Sequence, residues 1–354
     1  MARFVYVGSE TRTESGHRKE GITVFKVDPL SGNLERIQEA ESGETPSFLA
    51  VHPDRKHLYA INEVREGRAT AFSIDSQSGK LKMLNTASVK GLGPCYISIE
   101  PGGGWACVAN YGGGSVSVLP VKADGSIGDA VATDQHVGKG QDPKRQEGPH
   151  AHSIISDPKG KFILSADLGT DRIYVYQIGK DGQLIPNNPP AWEAVPGAGP
   201  RHMAFHPNGM IMYTAHELNN TVVVCRWDPQ KGMLSSLQSL PTLPDDFSSY
   251  NLVADIHLTP DGNYLYVTNR GHNSLVVYRV SAEGSHLEQV SWVSTAGNWP
   301  RNFTIDPEGK FMLVANQESD NLVQFKIDPA TGLLERTGKD VVVPKPMFVT
   351  ILDL

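Results

Sequence analysis

Five ionisable side chains define the chemistry open to this chain: His152, Arg201, Glu217, Arg270 and Arg301. They are far apart in sequence, yet each fills an equivalent slot of a repeated pattern. The slot six residues before a recurring turn proline (Pro53, Pro101, Pro158, Pro207, Pro260, Pro307) holds Ser47, Cys95, His152, Arg201, Ala254 and Arg301. The next position holds Phe48, Tyr96, Ser153, His202, Asp255 and Asn302. The slot ten residues after each proline holds Glu63, Tyr111, Leu168, Glu217, Arg270 and Gln317. A requirement of folding alone would place like residues in every copy, so the divergence in the later copies points to a site. Arginine forks onto carboxylate or phosphate through two parallel hydrogen bonds. Neighbouring arginines keep Glu217 ionised, and a carboxylate within reach of substrate can act as a general base. A histidine near its ordinary pKa of about 6.5 carries protons at neutral pH, so His152 is the other candidate base. The set suits a small anionic substrate. His150, His202, Asp255, Arg301 and Gln317 are the candidate substrate-binding residues around the catalytic candidates His152, Arg201, Glu217 and Arg270.

The elements that must carry these slots are short strands. HLYAIN (57–62), WACVAN (105–110), FILSAD (162–167), IMYTAH (211–216), YLYVTN (264–269) and FMLVAN (311–316) each follow a turn proline, and FVYVG (4–8) is the same strand without its turn. Each is followed by a second apolar strand and a Gly-containing turn, as in DSQSGKL and DPATGLL. The period is about fifty residues, the length of a propeller blade. Six units open with a further strand, such as PRHMAFH (200–206); the first unit lacks one, and PMFVTIL (346–352) at the C-terminus supplies it. The expectation is an all-β, seven-bladed β-propeller, one domain over residues 1–354, its ring closed by the C-terminal strand joining the N-terminal blade. Closure removes the open sheet edge. In a blade the start of the innermost strand and the end of the next open on one face, so the three slots meet at one central mouth.

Two connections, DQHVGKGQDPKRQEG (134–148) and PTLPDDFSSYN (241–251), are long enough to be lids or binding loops on that face. Lys139, Lys144 and Arg145 read as solvated loop charge. Asn62, Asn110, Asn269 and Asn316 read as turn residues bonding backbone, and His52 and His206 as turn stabilisers.

A net charge of −7 without a basic run argues against nucleic-acid binding, and an anionic substrate then needs a local cationic patch. No apolar run approaches the roughly eighteen residues of a membrane span. FVYVG is too short for a signal peptide. Three cysteines without metal spacing read as buried apolar residues of a reducing, cytoplasmic setting, with Cys95 the one to check for reactivity. His150, His152, Asp255 and His257 lack compact ligand spacing, so no metal or other cofactor is expected.

In GAGPRHMAFHPN (197–208), HELNNTVVV (216–224), ADIHLTPDG (254–262) with NR (269–270), and WPRNFTIDPEGK (299–310), the chain resembles the seven-bladed lactonase propellers. That family includes the propeller-type 6-phosphogluconolactonase and the 3-carboxy-cis,cis-muconate lactonising enzyme. The resemblance covers essentially the whole chain and implies a metal-independent site made of His152, Arg201, Glu217 and Arg270. It implies hydrolysis of a sugar-acid lactone, 6-phosphogluconolactone first, with Arg270, Arg301 and Arg201 on the phosphate and carbonyl. The alternative is lactonisation of a carboxylated muconate. A non-catalytic binding scaffold fits poorly with five ionisable residues at the mouth. His216 stands where the bacterial lactonase pattern has Asn, and the 134–148 loop and the PHAH histidine are closer to the wider family.

Overall fold

Seven antiparallel sheets follow one another along the chain, and the computed structural model describes residues 2–13 and 16–354. Blade 1 is ordered Pro346–Asp353, Arg3–Ser9, Glu20–Val27, Leu34–Glu41 from the axis outward, so the C-terminus supplies its innermost strand. The innermost strands of blades 2 to 7 are Phe48–Val51, Pro94–Ile99, Ala151–Ser156, Pro200–Phe205, Leu252–Leu258 and Pro300–Ile305. Each is paired with the strand after the turn proline, as Pro200 faces His216 in blade 5. Residues 132–135, whose last two open the first long connection, form the outermost strand of blade 3.

The core lies between the blades. Seven apolar clusters each join two neighbours, and the one that unites Val5, Val7 and Phe25 of blade 1 with Leu313, Ala315 and Leu322 of blade 7 completes the circle. The repeated tyrosines and glycines have a shared role. Tyr6, Tyr59, Tyr213 and Tyr266 donate their hydroxyls to the carbonyls of Gly79, Gly125, Gly284 and Gly332, each in a turn of the next blade, over 2.7–2.9 Å. A buried tyrosine hydroxyl thereby finds its partner. Gly79 sits at φ +69, where a Cβ would come within 2.3 Å of the Phe4 ring. Among the described residues no helix is long and apolar enough to cross a membrane.

One irregularity positions the site. The pairing of innermost and second strands slips at Cys95 in blade 3, His152 in blade 4, Arg201 in blade 5, Ala254–Asp255 in blade 6, Arg301 in blade 7 and Met347 in blade 1. In blades 3 to 7 these bulges include the slot six residues before the turn proline, whereas blade 2 pairs without a slip. An inserted residue breaks the alternation of a strand and re-aims its side chain. In blades 3 to 7 the slot therefore differs in chemistry while each strand bulges there.

Candidate active site

Glu217 gathers three arginines. Its Oε2 accepts from Arg201 Nε at 2.8 Å and Arg270 Nη2 at 2.7 Å, and its Oε1 accepts from Arg145 Nη2. Burial alone would raise this carboxyl; Arg270, Arg201 and Arg145 outweigh it and hold Glu217 at about 2. A carboxylate so engaged is a poor proton acceptor. Arg201 and Arg270 are nearly sealed and also donate to the carbonyls of Ala254 and Val253. The Trp299 ring stacks beside Arg270, 5.4 Å from centroid to guanidinium. Neither Nη2 of Arg201 nor Nη1 of Arg270 has a hydrogen-bond partner among the described residues, and neither is among the solvent-sealed atoms.

His152 stands beside them. Burial, then the charges of Arg201, His202, Arg301 and Arg270, push its pKa well below 6.5. The expectation of an unshifted histidine is thus corrected: His152 is a neutral imidazole throughout the neutral range. Its Nδ1 lies 3.8 Å from the Cys95 Sγ, and no hydrogen bond from a described residue reaches its Nε2. Burial drives the Cys95 thiol far above its ordinary pKa, so the cysteine is an inert wall rather than a nucleophile.

His202 and Asp255 lie one position deeper and are consumed by structure. His202 Nδ1 donates to Asp255 Oδ1 at 2.7 Å and its Nε2 accepts from Arg201 Nη1 at 3.3 Å. Burial and Arg201 lower His202 to about 4 against the pull of Asp255. The other Asp255 oxygen accepts from Asn302 Nδ2 at 2.5 Å, the Phe303 amide at 3.2 Å and His257 Nε2 at 2.9 Å. These two residues orient Arg201; their expected direct contact with substrate has no free atom to make it. Phe48 packs on Tyr96 (4.0 Å between centroids) and Phe348 (4.3 Å), and Tyr96 on His202 (5.3 Å), so an aromatic floor underlies the charged mouth.

The remaining candidates lie on the rim. His150 precedes the blade 4 strand, stacks on Tyr111 at 4.6 Å and bonds the Tyr111 carbonyl and Glu147. Tyr111 in turn meets His152 edge-on at 5.4 Å. Arg301 is half-buried and pairs with Glu63 of blade 2 at 3.7 Å. Gln317 opens a 3-10 turn next to blade 7, with its Oε1 sealed and unpaired.

Sequence reasoning missed Arg145. The 134–148 connection is a pinned arm, not a swinging lid. Gln146 is fully buried: its Oε1 accepts the amides of Gln141 and Asp142, and its Nε2 donates to the Leu168 carbonyl and Asp171. His136 Nδ1 meets Asp167 Oδ2 at 2.6 Å in full burial. Gly169 allows the arm to lie against blade 4, since a Cβ there would fall 1.9 Å from the Gly148 carbonyl oxygen. The arm delivers Arg145, whose guanidinium also donates to the Tyr111 hydroxyl at 3.3 Å. Glu63 and Tyr111 stood in the compared slots, but only their neighbours reveal them. The 241–251 connection also borders the mouth side, with Asn251 bonded to Asn220 and Asn269.

Asn62, Asn269 and Asn316 donate to backbone carbonyls of the preceding connection as expected, whereas Asn110 donates to two serine hydroxyls instead. One trio of metal-ligand type, His52, Asp54 and His57, brings its atoms within 4.8 Å, but at a turn on the face opposite the mouth. Both His52 ring nitrogens are already bonded, to the Gly103 carbonyl and the Asp54 amide.

A ring of seven blades with an arginine-rich arrangement of donors around a neutral histidine is the frame of a propeller hydrolase. The chain matches the family described as "Lactonase, 7-bladed beta-propeller" over residues 4–351, and it belongs to that family. It is 37% identical to a 6-phosphogluconolactonase of Bacillus subtilis strain 168, over 99% of each chain. It is 35% identical to a 6-phosphogluconolactonase of Pectobacterium atrosepticum over the full length of both. Among solved structures, a periplasmic gluconolactonase of Pseudomonas aeruginosa superposes with a TM-score of 0.93 at 32% identity, covering 100% of this chain and 99% of that one.

Proposed function

We propose that this protein hydrolyses the lactone of a sugar acid, with 6-phosphogluconolactone as substrate and 6-phosphogluconate as product. The observation that carries the reading is the charge balance of the mouth. Four arginines (145, 201, 270, 301) face Glu63 and Glu217, with Asp255 beneath as a third carboxylate, which leaves a local surplus of one positive charge in a chain of net charge −7. Asp255 beneath is shared between His202 and His257. Such a field draws a dianionic phosphate ester.

The spare donors of Arg201 and Arg270 are addressed to the lactone carbonyl. Water attacks the carbonyl carbon as His152 takes its proton. The oxyanion that forms is held by the two guanidinium groups, which need no reorganisation because Glu217 already fixes them. The negative oxyanion offsets the repulsion between the arginines and the new imidazolium. Collapse breaks the ring C–O bond, and the departing ring oxygen takes the proton back from His152. Glu217 is the pin of this arrangement and His152 its base. Three unpaired, buried cysteines support a reducing, cytosolic setting.

The test is hydrolysis of freshly generated 6-phosphogluconolactone coupled to 6-phosphogluconate dehydrogenase. Turnover well above the spontaneous rate is expected, with a loss of about a hundredfold or more in kcat for His152→Ala. No acceleration at any enzyme concentration overturns the lactonase reading, and full activity of folded His152→Ala removes that residue from it.

A further inference from the structure

We propose that Arg145, carried on the 134–148 arm, is the anchor for the phosphate of the substrate and sets the preference for phosphorylated over unphosphorylated lactones. The inference rests on the lactonase reading and assigns the phosphate end of that site. Of the three arginines on Glu217, two are locked. Arg201 and Arg270 are 2% and 4% exposed and each also holds a backbone carbonyl. The Arg145 side chain is 29% exposed, and its other partner is a single tyrosine hydroxyl. It can turn from Glu217 to an incoming anion while the other two arginines still neutralise that carboxylate.

Arg301 is the rival, and charge decides between them. Arg301 is paired with Glu63, so the two together are neutral, and turning Arg301 to a phosphate would leave the Glu63 carboxylate uncompensated beside it. The Glu217 cluster carries the whole positive surplus. Glu63 instead suits the hydroxyls of a sugar ring, which donate to carboxylates. The arm is already fixed by the buried Gln146 and His136, so capture of the phosphate reorders one side chain and not a loop. This preorganisation favours binding.

The experiment compares kcat and KM for 6-phosphogluconolactone and D-glucono-δ-lactone in wild type, Arg145→Ala, Arg145→Lys and Arg301→Ala. Inorganic phosphate is tested as a competitor of the unphosphorylated lactone. In Arg145→Ala the ratio of kcat/KM between the two lactones is expected to fall by about tenfold to a hundredfold, the scale of a lost charge-assisted hydrogen bond. The change is expected in KM, with partial rescue by lysine and weaker inhibition by phosphate. An unchanged ratio in Arg145→Ala, or a ratio lost in Arg301→Ala instead, overturns the assignment. Equal loss on both lactones does so too, and marks Arg145 as merely structural. Wild type that hydrolyses both lactones without preference ends this inference and leaves the lactonase reading intact. Wild type that hydrolyses neither ends both.

Discussion

Glu217 has two oxygens and three arginine partners, and this count assigns its role. A general base needs a lone pair and a conjugate acid that titrates near the working pH. Glu217, held at about 2, lacks the second, and three arginine donors already crowd its two oxygens. Its removal leaves Arg201 and Arg270 buried without a counter-charge. Loss of one partner of a buried ion pair costs about 3–5 kcal/mol, so Glu217→Ala is expected to lower the urea midpoint markedly as well as activity. Glu217→Gln keeps the shape and is expected to lose rate with a smaller loss of stability. The pH profile separates the two candidate bases. His152 has a lowered pKa, so it stays neutral as pH falls to 6.5 and becomes protonated only below it. The acid limb of kcat/KM is therefore expected below pH 6.5, and no further limb from Glu217 appears between pH 4 and 6. A limb centred at or above 6.5 contradicts the neutral, arginine-flanked histidine. His152, Arg201, Glu217 and Arg270 were legible because each stands in a repeat slot. Their division of labour was not, because it depends on which oxygen meets which guanidinium across blades.

The bulged innermost strand is the element that made the slots readable. It recurs at the same distance from the turn proline, so counting residues located the mouth without coordinates. Counting fails for a non-repeating connection. Arg145 has no counterpart in the other blades, and a loop arginine among Lys139 and Lys144 looks solvated until the arm is folded. What folds it is Gln146, whose amide closes four hydrogen bonds in full burial. Truncating one partner strands the other buried groups at about 1–3 kcal/mol each. Gln146→Ala is expected to release the arm without unfolding the ring. Trypsin is expected to cut the exposed Lys139 and Lys144 slowly in wild type and quickly in the variant, and KM for the phosphorylated lactone is expected to rise. Equal cleavage rates in the two proteins would show that the arm is held by something other than Gln146.

At the scale of the whole molecule the ring is closed by one strand of eight residues. The split seventh copy was visible in the sequence as a unit with no opening strand and a terminal strand with no unit, and the pairing of Arg3–Ser9 with Pro346–Asp353 joins them. What the sequence did not disclose is that this strand also completes the site. Its Phe348 forms part of the aromatic floor, and its Val349 amide donates to Asn302 Oδ1 at 2.8 Å. From Asn302 the chain of bonds runs through Asp255 and His202 to Arg201, so four consecutive blades share one polar belt beneath the mouth. Arg3 reinforces the closure from outside, with Asp353 at 2.7 Å and Asp306 of blade 7 at 3.0 Å. Deletion of 346–354 would expose the edge of Arg3–Ser9 and strip the apolar cluster between blades 7 and 1. An exposed edge strand invites pairing with other chains. The truncated protein is therefore expected to aggregate and to lose its cooperative thermal transition, whereas Asp353→Asn, which weakens only the outer ion pair, is expected to shift the midpoint by a few degrees and leave kcat intact. Supplying 346–354 as a separate peptide to the truncated chain distinguishes the two functions of the strand. Recovery of a folded ring together with lactone turnover is expected; recovery of the fold alone would mean that the polar belt does not position Arg201.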